Sequence, residues 1–281
     1  MPAHLRLRRG SEAISPTAHY TGHVWTRNAL SHSALGTLEG WALFGALEPA
    51  MRLNRAFGGA TLESQLLARH RALDCLLERA IEEGGVSQVI EVACGMSPRG
   101  WRFADRYGDR LTYVETDLPA MAVRKRRALE RIGSVSDTHR VVELDALAKE
   151  GPTSLAEIAA PLDRARGLAI VTEGLLGYFP LPQVLDVWHR FADLLGEFAA
   201  NRYLSDLHVA ADSTGARVQV FRVLLSTFVR GRVYVHFADA SDAESALLGA
   251  GFSSASVLQA GRHVPATDEG GERVHVVNAV V

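Results

Sequence analysis

Long apolar runs are missing from this sequence: nowhere do about 18 uninterrupted apolar residues occur, so no membrane-spanning helix is expected. The basic start MPAHLRLRRG is followed by the polar SEAISPTAHY and not by an apolar signal core, so the chain reads as neither secreted nor membrane-spanning. Cysteine is scarce. Cys75 and Cys94, the only two, have no metal-type spacing, which excludes a disulfide framework and a zinc site and points to a reduced, cytoplasmic protein. Excess charge is lacking as well: thirty basic and thirty-two acidic residues give a formal charge of -2, so no global field draws the chain to nucleic acid or an anionic membrane. A small molecule is the expected partner. There is no linker, internal repeat or low-complexity tract, and 281 residues at 47% hydrophobic content can bury one sizeable core.

Glycine is also short at one informative place. EVACGMSPRGWRF, residues 91 to 103, has the outline of a nucleotide-binding turn, yet Ala93 and Ser97 stand where such turns usually carry glycine. A dinucleotide fingerprint needs G-x-G-x-x-G so that the backbone can approach a pyrophosphate. One glycine, Gly95, remains in V-A-C-G-M-S, which disfavours an NAD site. S-adenosylmethionine sets no pyrophosphate against its turn, and an acid near the end of the first strand, here Glu91, is common in its binding proteins.

What is present is alternation. LESQLLARHRALDCLLERAIEE (62 to 83) is an amphipathic helix stopped by Gly84 and Gly85. SQVIEVA, LTYVETD, HRVVELD, GLAIVTEG and RYLSDLHV read as five strands, with helices over PAMAVRKRRALERIG and LPQVLDVWHRFADLL between them. SASVLQAG and ERVHVVNAVV, after a helix around DAESALLGAGF, are two closing strands. The expected fold is α/β: a doubly wound, mostly parallel, Rossmann-like sheet over residues 61–281 under an N-terminal helical cap, residues 1–60, with its ligand crevice at the carboxyl ends of the strands.

VIEVACGMSPRGWRF, YVETDLPAMAVRKR and IVTEGLLGYF, in that order and spacing, resemble successive motifs of the leucine carboxyl methyltransferase family, and LLARHRALDCLL resembles the helix before its turn. The resemblance covers roughly residues 60 to 195. It implies a class I, metal-independent O-methyltransferase that uses S-adenosylmethionine on small metabolites, as in secondary metabolism. Asp117 matches the family's ribose acid, and a carboxylate there can accept from both ribose hydroxyls. Arg69 matches the arginine that grips the methionine carboxylate, Glu173 the acid near the methionine amine, and Asp145 the adenine-side position. Ala93, Gly95, Leu118, Leu144, Ala146 and Gly174 complete the expected cofactor cradle. Glu115, two residues before Asp117, is either a helper of it or an acid solvated at a strand edge. The family's N-terminal lysine has no counterpart in SPTAHYTGHVWTRN; Arg69 acts alone or with a histidine or Arg27. Ser97 is a turn residue, and Arg99 a structural ion-pair partner.

A carboxylate acceptor would need no base, whereas a phenol or alcohol would, with histidine the natural provider. His19, Tyr20 and His23 form a candidate catalytic cluster in the cap, with Tyr178 and His208 at strand ends. Pro16 and Gly22 argue against a rigid helix in that segment, which reads as a lid. His32, His70, His139, His236 and His263 are structural or surface residues. RKRRALER (124 to 131) could bind phosphate but is more simply a solvated helix face. VQVFRVLLSTFVRGRVYVHF (218 to 237) could line a hydrophobic pocket or form a homodimer contact. The acceptor is expected to be a carboxylate or phenolic hydroxyl of an aromatic or polyketide-like molecule. Two rivals stand beside this reading: an NAD(P)-dependent oxidoreductase with a degenerate turn, and a non-catalytic interaction module with a methyltransferase fold.

Overall fold

In the computed structural model, residues 16–56, 61–210, 234–263 and 271–281 are described. Seven strands form one sheet in the order β3-β2-β1-β4-β5-β7-β6. They are β1 (Val86–Val92), β2 (Thr112–Asp117), β3 (His139–Glu143), β4 (Gly167–Thr172), β5 (Asn201–Leu207), β6 (Ser254–Gln259) and β7 (His275–Val280). The first five run parallel; β7 enters antiparallel between β5 and β6. All seven expected strands are found. β4, at the centre, is buried along its whole length, which explains why GLAIVT is a continuous apolar run. The chain order reverses between β1 and β4, so the crevice of this doubly wound sheet lies beyond their carboxyl ends.

The helices are α1 (Pro16–Arg27), α2 (Leu38–Ala56), α3 (Leu62–Glu82), α4 (Arg99–Tyr107), α5 (Pro119–Arg131), α6 (Leu155–Ala159), α7 (Leu181–Leu195) and α8 (Ala240–Gly249). α3 begins with a reciprocal cap, the Thr61 hydroxyl accepting from Ser64 N and the Ser64 hydroxyl from Thr61 N. Its Leu73 and Leu77 pack on one face of the sheet beside Phe103 of α4. Trp188 and Phe191 of α7 and Leu247 of α8 fill the other. Tyr20, Val24 and Trp25 of α1, Phe44 and Leu47 of α2, and Leu66 and Leu67 of α3 make a separate apolar cluster that seats the cap.

The cap corrects one expectation. Residues 16–27 form a regular helix, not an irregular lid segment. Proline is tolerated in a first helical turn, where no amide donor is needed. Gly22 serves proximity instead of flexibility: a Cβ there would lie 3.2 Å from Met96 Cβ, so α1 settles directly on the turn after β1. Gly40 acts alike, since a Cβ would fall 2.2 Å from the His19 carbonyl oxygen and push α2 off α1. Most of the 218–237 segment lies outside the described residues. Among the described residues, no helix is long and apolar enough to cross a membrane.

A further correction concerns two charges. Glu115 is neither an aid to Asp117 nor solvated at an edge; it is fully buried, its carboxylate held by Lys125 of α5 and, at 2.8 Å, by His139 Nε2 of β3. Lys125 is thus not part of a solvated face. Burial disfavours both charges, but their mutual attraction dominates, holding the Glu115 carboxyl below its usual range and the ammonium above its own. Gly100 of α4 lies over this pair, where a Cβ would come 2.3 Å from Glu115 Oε1. Gly100→Ala should therefore lower the unfolding free energy by about 1–3 kcal/mol, read as a reduced urea midpoint with unchanged slope. An unaltered midpoint would contradict this account of α4 packing.

Candidate functional site

The turn after β1 is bent by two left-handed residues, Ala93 (φ 56°) and Gly95 (φ 51°). For an alanine this conformation costs roughly 1–2 kcal/mol, so the surroundings must hold it. They do so through β2: Cys94 N donates to Thr116 O at 2.9 Å, and Gly95 N donates to Asp117 Oδ2 at 2.7 Å. Asp117 Oδ1 accepts from Leu118 N at 2.8 Å. Each oxygen has one backbone donor and keeps acceptor capacity for another. Burial raises the Asp117 carboxyl above the ordinary carboxylate range, against the pull of the two amides. Leu144 N donates to Asp117 O at 2.9 Å, which brings the end of β3 alongside. Asp145 there is exposed, its Oδ1 accepting from Leu147 N, with Ala146 half-buried beside it.

Under the turn lies an ionic network. Arg99, with none of its surface exposed, donates from Nε to Asp74 (2.7 Å), from Nη1 to Glu91 (2.7 Å) and from Nη2 to Glu173 (2.6 Å). The structural role expected of Arg99 is what the structure shows. Tyr113 donates to the second oxygen of Glu91 at 2.8 Å. Glu91 is therefore a counter-ion beneath the turn, 1% exposed, and the expectation that it contacts a cofactor is corrected: both its oxygens are spoken for. Ser97, buried, accepts from Arg99 N at 3.2 Å and fills the turn role expected of it.

Glu173 ties this network to the end of β4. His70 Nδ1 lies 2.9 Å from its Oε2, and Arg69 donates from Nε to its Oε1 at 3.0 Å. Burial favours the neutral acid, but His70, Arg99 and Arg69 together hold the Glu173 carboxyl well below its usual range. Arg69 also donates from Nη1 to Asp206 Oδ2 at 3.1 Å, while Gly174 N donates to Asp206 Oδ1 at 2.6 Å. Gly174 takes φ 70° with its Cα facing the Arg69 guanidinium, 3.5 Å from a Cβ position. Among the described residues Arg69 Nη2 has no hydrogen-bond partner, so the guanidinium retains a donor at the strand ends.

Asp206 went unrecognised in the sequence. The signal was available in YLSDL, an acid at the end of an otherwise buried strand, which is the argument that singled out Glu173.

The five catalytic candidates are not brought together. Tyr20 is buried in the cap cluster, its ring 5.7 Å from that of Phe44, and burial pushes its hydroxyl far above the usual range; it packs the cap and cannot act as a base near neutrality. His19 is buried with Nδ1 3.0 Å from Thr37 Oγ1, and burial lowers its pKa. Half-buried His23 stands 5.0 Å from Phe44, ring to ring. His208 is exposed beyond β5. Tyr178, by contrast, reaches the cap across the crevice, its hydroxyl 2.7 Å from Thr17 Oγ1. With Ala18 against Gly95 and Gly22 against Met96, α1 thus bridges the β4 and β1 turns.

A seven-stranded sheet of this order, with polar groups converging on the β1, β2 and β4 ends, is the Rossmann-like methyltransferase fold. It aligns with the structure of a Thermobifida fusca protein provisionally named a methyltransferase (TM-score 0.62, 15% identity, 94% of this chain and 93% of that one) and with a structure from Streptomyces avermitilis of a domain family of unassigned function (TM-score 0.61, 15% identity, 94% and 96%). The chain belongs to the leucine carboxyl methyltransferase family, whose model matches residues 33–192. A Streptomyces coelicolor protein provisionally named an S-adenosyl-L-methionine-dependent methyltransferase is 36% identical over 115 residues, 41% of this chain and 39% of that protein. A Mycolicibacterium paratuberculosis protein given the same provisional name is 31% identical over 163 residues, 56% and 49%. The chain thus aligns with half or less of the length of these curated relatives.

The buried acids set a pH dependence. Glu173 and Asp74 have folded-state pKa values below their ordinary 4.5 and 3.8, as does Glu115 below its 4.5. A depressed carboxyl contributes stability that is complete above its unfolded value and is lost as pH falls through the folded one. The thermal midpoint should decline gently below about pH 6.5, where buried His19 takes up a proton only on unfolding, and drop steeply below about pH 4.5. A midpoint unchanged at about pH 3 would contradict the ion-paired assignment.

Proposed function

We propose that the protein is an S-adenosylmethionine-dependent methyltransferase, transferring a methyl group to a carboxylate or phenolic oxygen of a small metabolite. The observation that carries the cofactor reading is Asp117, held by Gly95 N and Leu118 N with one acceptor direction left on each oxygen. That donor-poor, acceptor-rich end suits the two hydroxyls of a ribose. Across the crevice, the spare donor of Arg69 beside Gly174 suits a carboxylate; Glu173, its oxygens engaged by Arg69, His70 and Arg99, holds Arg69 in place and does not meet an ammonium directly. Gly95 and Gly174 supply the positive φ that the turns after β1 and β4 require. Leu118, Leu144 and Ala146 would flank the adenine side, Asp145 its polar edge.

Bound S-adenosylmethionine would supply a sulfonium methyl that an oxygen nucleophile displaces in line, the C–S electron pair returning to sulfur. The protein's part is then to place the acceptor and keep water away. α1 covers the turns from Thr17 to Gly22 and forms a roof over the region where the acceptor would sit. Tyr178, anchored to Thr17, would contact the acceptor or the methyl-bearing end. A carboxylate acceptor is already an anion and makes no demand for a base, which agrees with the scattering of the histidines. For a phenolic acceptor, His19 and His23 both have pKa values lowered by burial, which leaves them neutral and able to take a proton.

Calorimetric titration tests this reading. S-adenosylhomocysteine should bind, NAD should not, and Asp117→Ala should weaken the former at least about tenfold through loss of charge-assisted hydrogen bonds to both hydroxyls. Labelled S-adenosylmethionine with panels of carboxylic acids and phenols then identifies the acceptor. Folded protein that binds neither ligand would overturn the proposal.

A further inference from the structure

A cavity of about 410 Å³ opens between α5 and the 34–37 segment, with Met96 of the turn after β1 on its wall. That volume lies within the roughly 300–1,000 Å³ usual for small-molecule sites. The charged groups lining it are Arg124, Arg127 and Arg131, and no carboxylate is among the lining residues. At spacings of three and four residues the three share one helix face. Arg124 donates to Glu39 at 3.0 Å. Among the described residues, Arg127 and Arg131 form no ion pair.

The neighbouring basic residues of RKRRALER behave differently. Lys125 is buried against Glu115, and Arg126 donates twice to the Val141 carbonyl oxygen, at 3.0 and 2.6 Å. These two pin α5 to the sheet, leaving the other arginines to line the cavity. Like charges four residues apart on a helix repel one another, and nothing among the lining residues offsets that repulsion at Arg127 and Arg131. An anion between them would. The remaining wall is small or apolar, with Ala34, Gly36, Val123 and Met96, and so has room for an uncharged body beside the anionic group.

We infer that this cavity is a second binding site, for a small molecule that carries a phosphate group on an apolar body. Planar guanidinium groups match phosphate oxygens two at a time. The overall charge of -2 and a basic face limited to three arginines of one helix favour a small molecule over a nucleic-acid backbone, which would need an extended basic surface. Neither Asp117 nor Glu173 lines the cavity, so the inference does not rest on the proposed activity; Met96, next to Gly95, lies between the two sites.

Phenyl phosphate is a suitable probe, titrated calorimetrically at low salt. Wild-type protein should bind it with a Kd near or below about 1 mM. Arg127→Gln with Arg131→Gln should weaken binding at least about tenfold, with the thermal midpoint unchanged because both side chains are exposed. The charge-matched control Arg106→Gln with Arg110→Gln, and Asp117→Ala, should each bind within about twofold of wild type. Absence of binding, or an equal loss in the control pair, would overturn the inference. Loss of binding in Asp117→Ala would place the probe at the strand ends and overturn it as well, and equal affinity for benzoate would overturn the phosphate assignment.

Discussion

The buried guanidinium of Arg99 is the constraint on which the site depends. It holds Asp74 of α3, Glu91 of β1 and Glu173 at the end of β4, and so fastens a helix, a strand and a turn to one another. Taking so many charges out of water is costly, and only near-complete pairing makes it tolerable. Removing Arg99 would leave Glu91 with the Tyr113 hydroxyl in place of a cation, and would strip one ion pair each from Asp74 and Glu173. The geometry of the strand ends is therefore set all at once or not at all: Glu173 positions Arg69, Arg69 reaches Asp206, and Asp206 fixes Gly174.

The glycine-poor turn after β1 follows from the same economy of support. Ala93 adopts a left-handed conformation because β2 fastens the two residues that follow it, through Thr116 O and the Asp117 carboxylate. A turn that had to admit a pyrophosphate could not be so closely engaged by a neighbouring acid. The space above it is roofed by α1, whose Ala18 and Gly22 bring that helix within van der Waals reach. Small residues in the cap segment, which read from sequence as looseness, turn out to be contact points.

Much of the fold was legible. The alternation of β-branched runs with amphipathic helices specifies all seven strands, because a buried parallel strand admits few polar residues and a surface helix must show them at fixed spacing. Asp117, Gly95, Glu173 and Gly174 were expected at the strand ends, and the topology does bring them there. What was not legible is which charges are compensated. Lys125 looks the same as Arg124 and Arg127 in RKRRALER, and only Glu115, ten residues away on β2, makes it a buried residue. Glu91 has the placement of a ligand-binding acid, yet Arg99 and Tyr113, from different elements, take both its oxygens. Pairing of this kind is a long-range property that periodicity does not encode.

The central claim is that Asp117 and Arg69 face opposite ends of one ligand across the β1–β4 crevice. A crystal structure of the protein with S-adenosylhomocysteine tests it most directly. The account predicts the ribose hydroxyls on the Asp117 carboxylate and the amino-acid carboxylate on Arg69, with the Arg99 network undisturbed. A ligand seated elsewhere, or one that displaces Glu173 from Arg99, would contradict it.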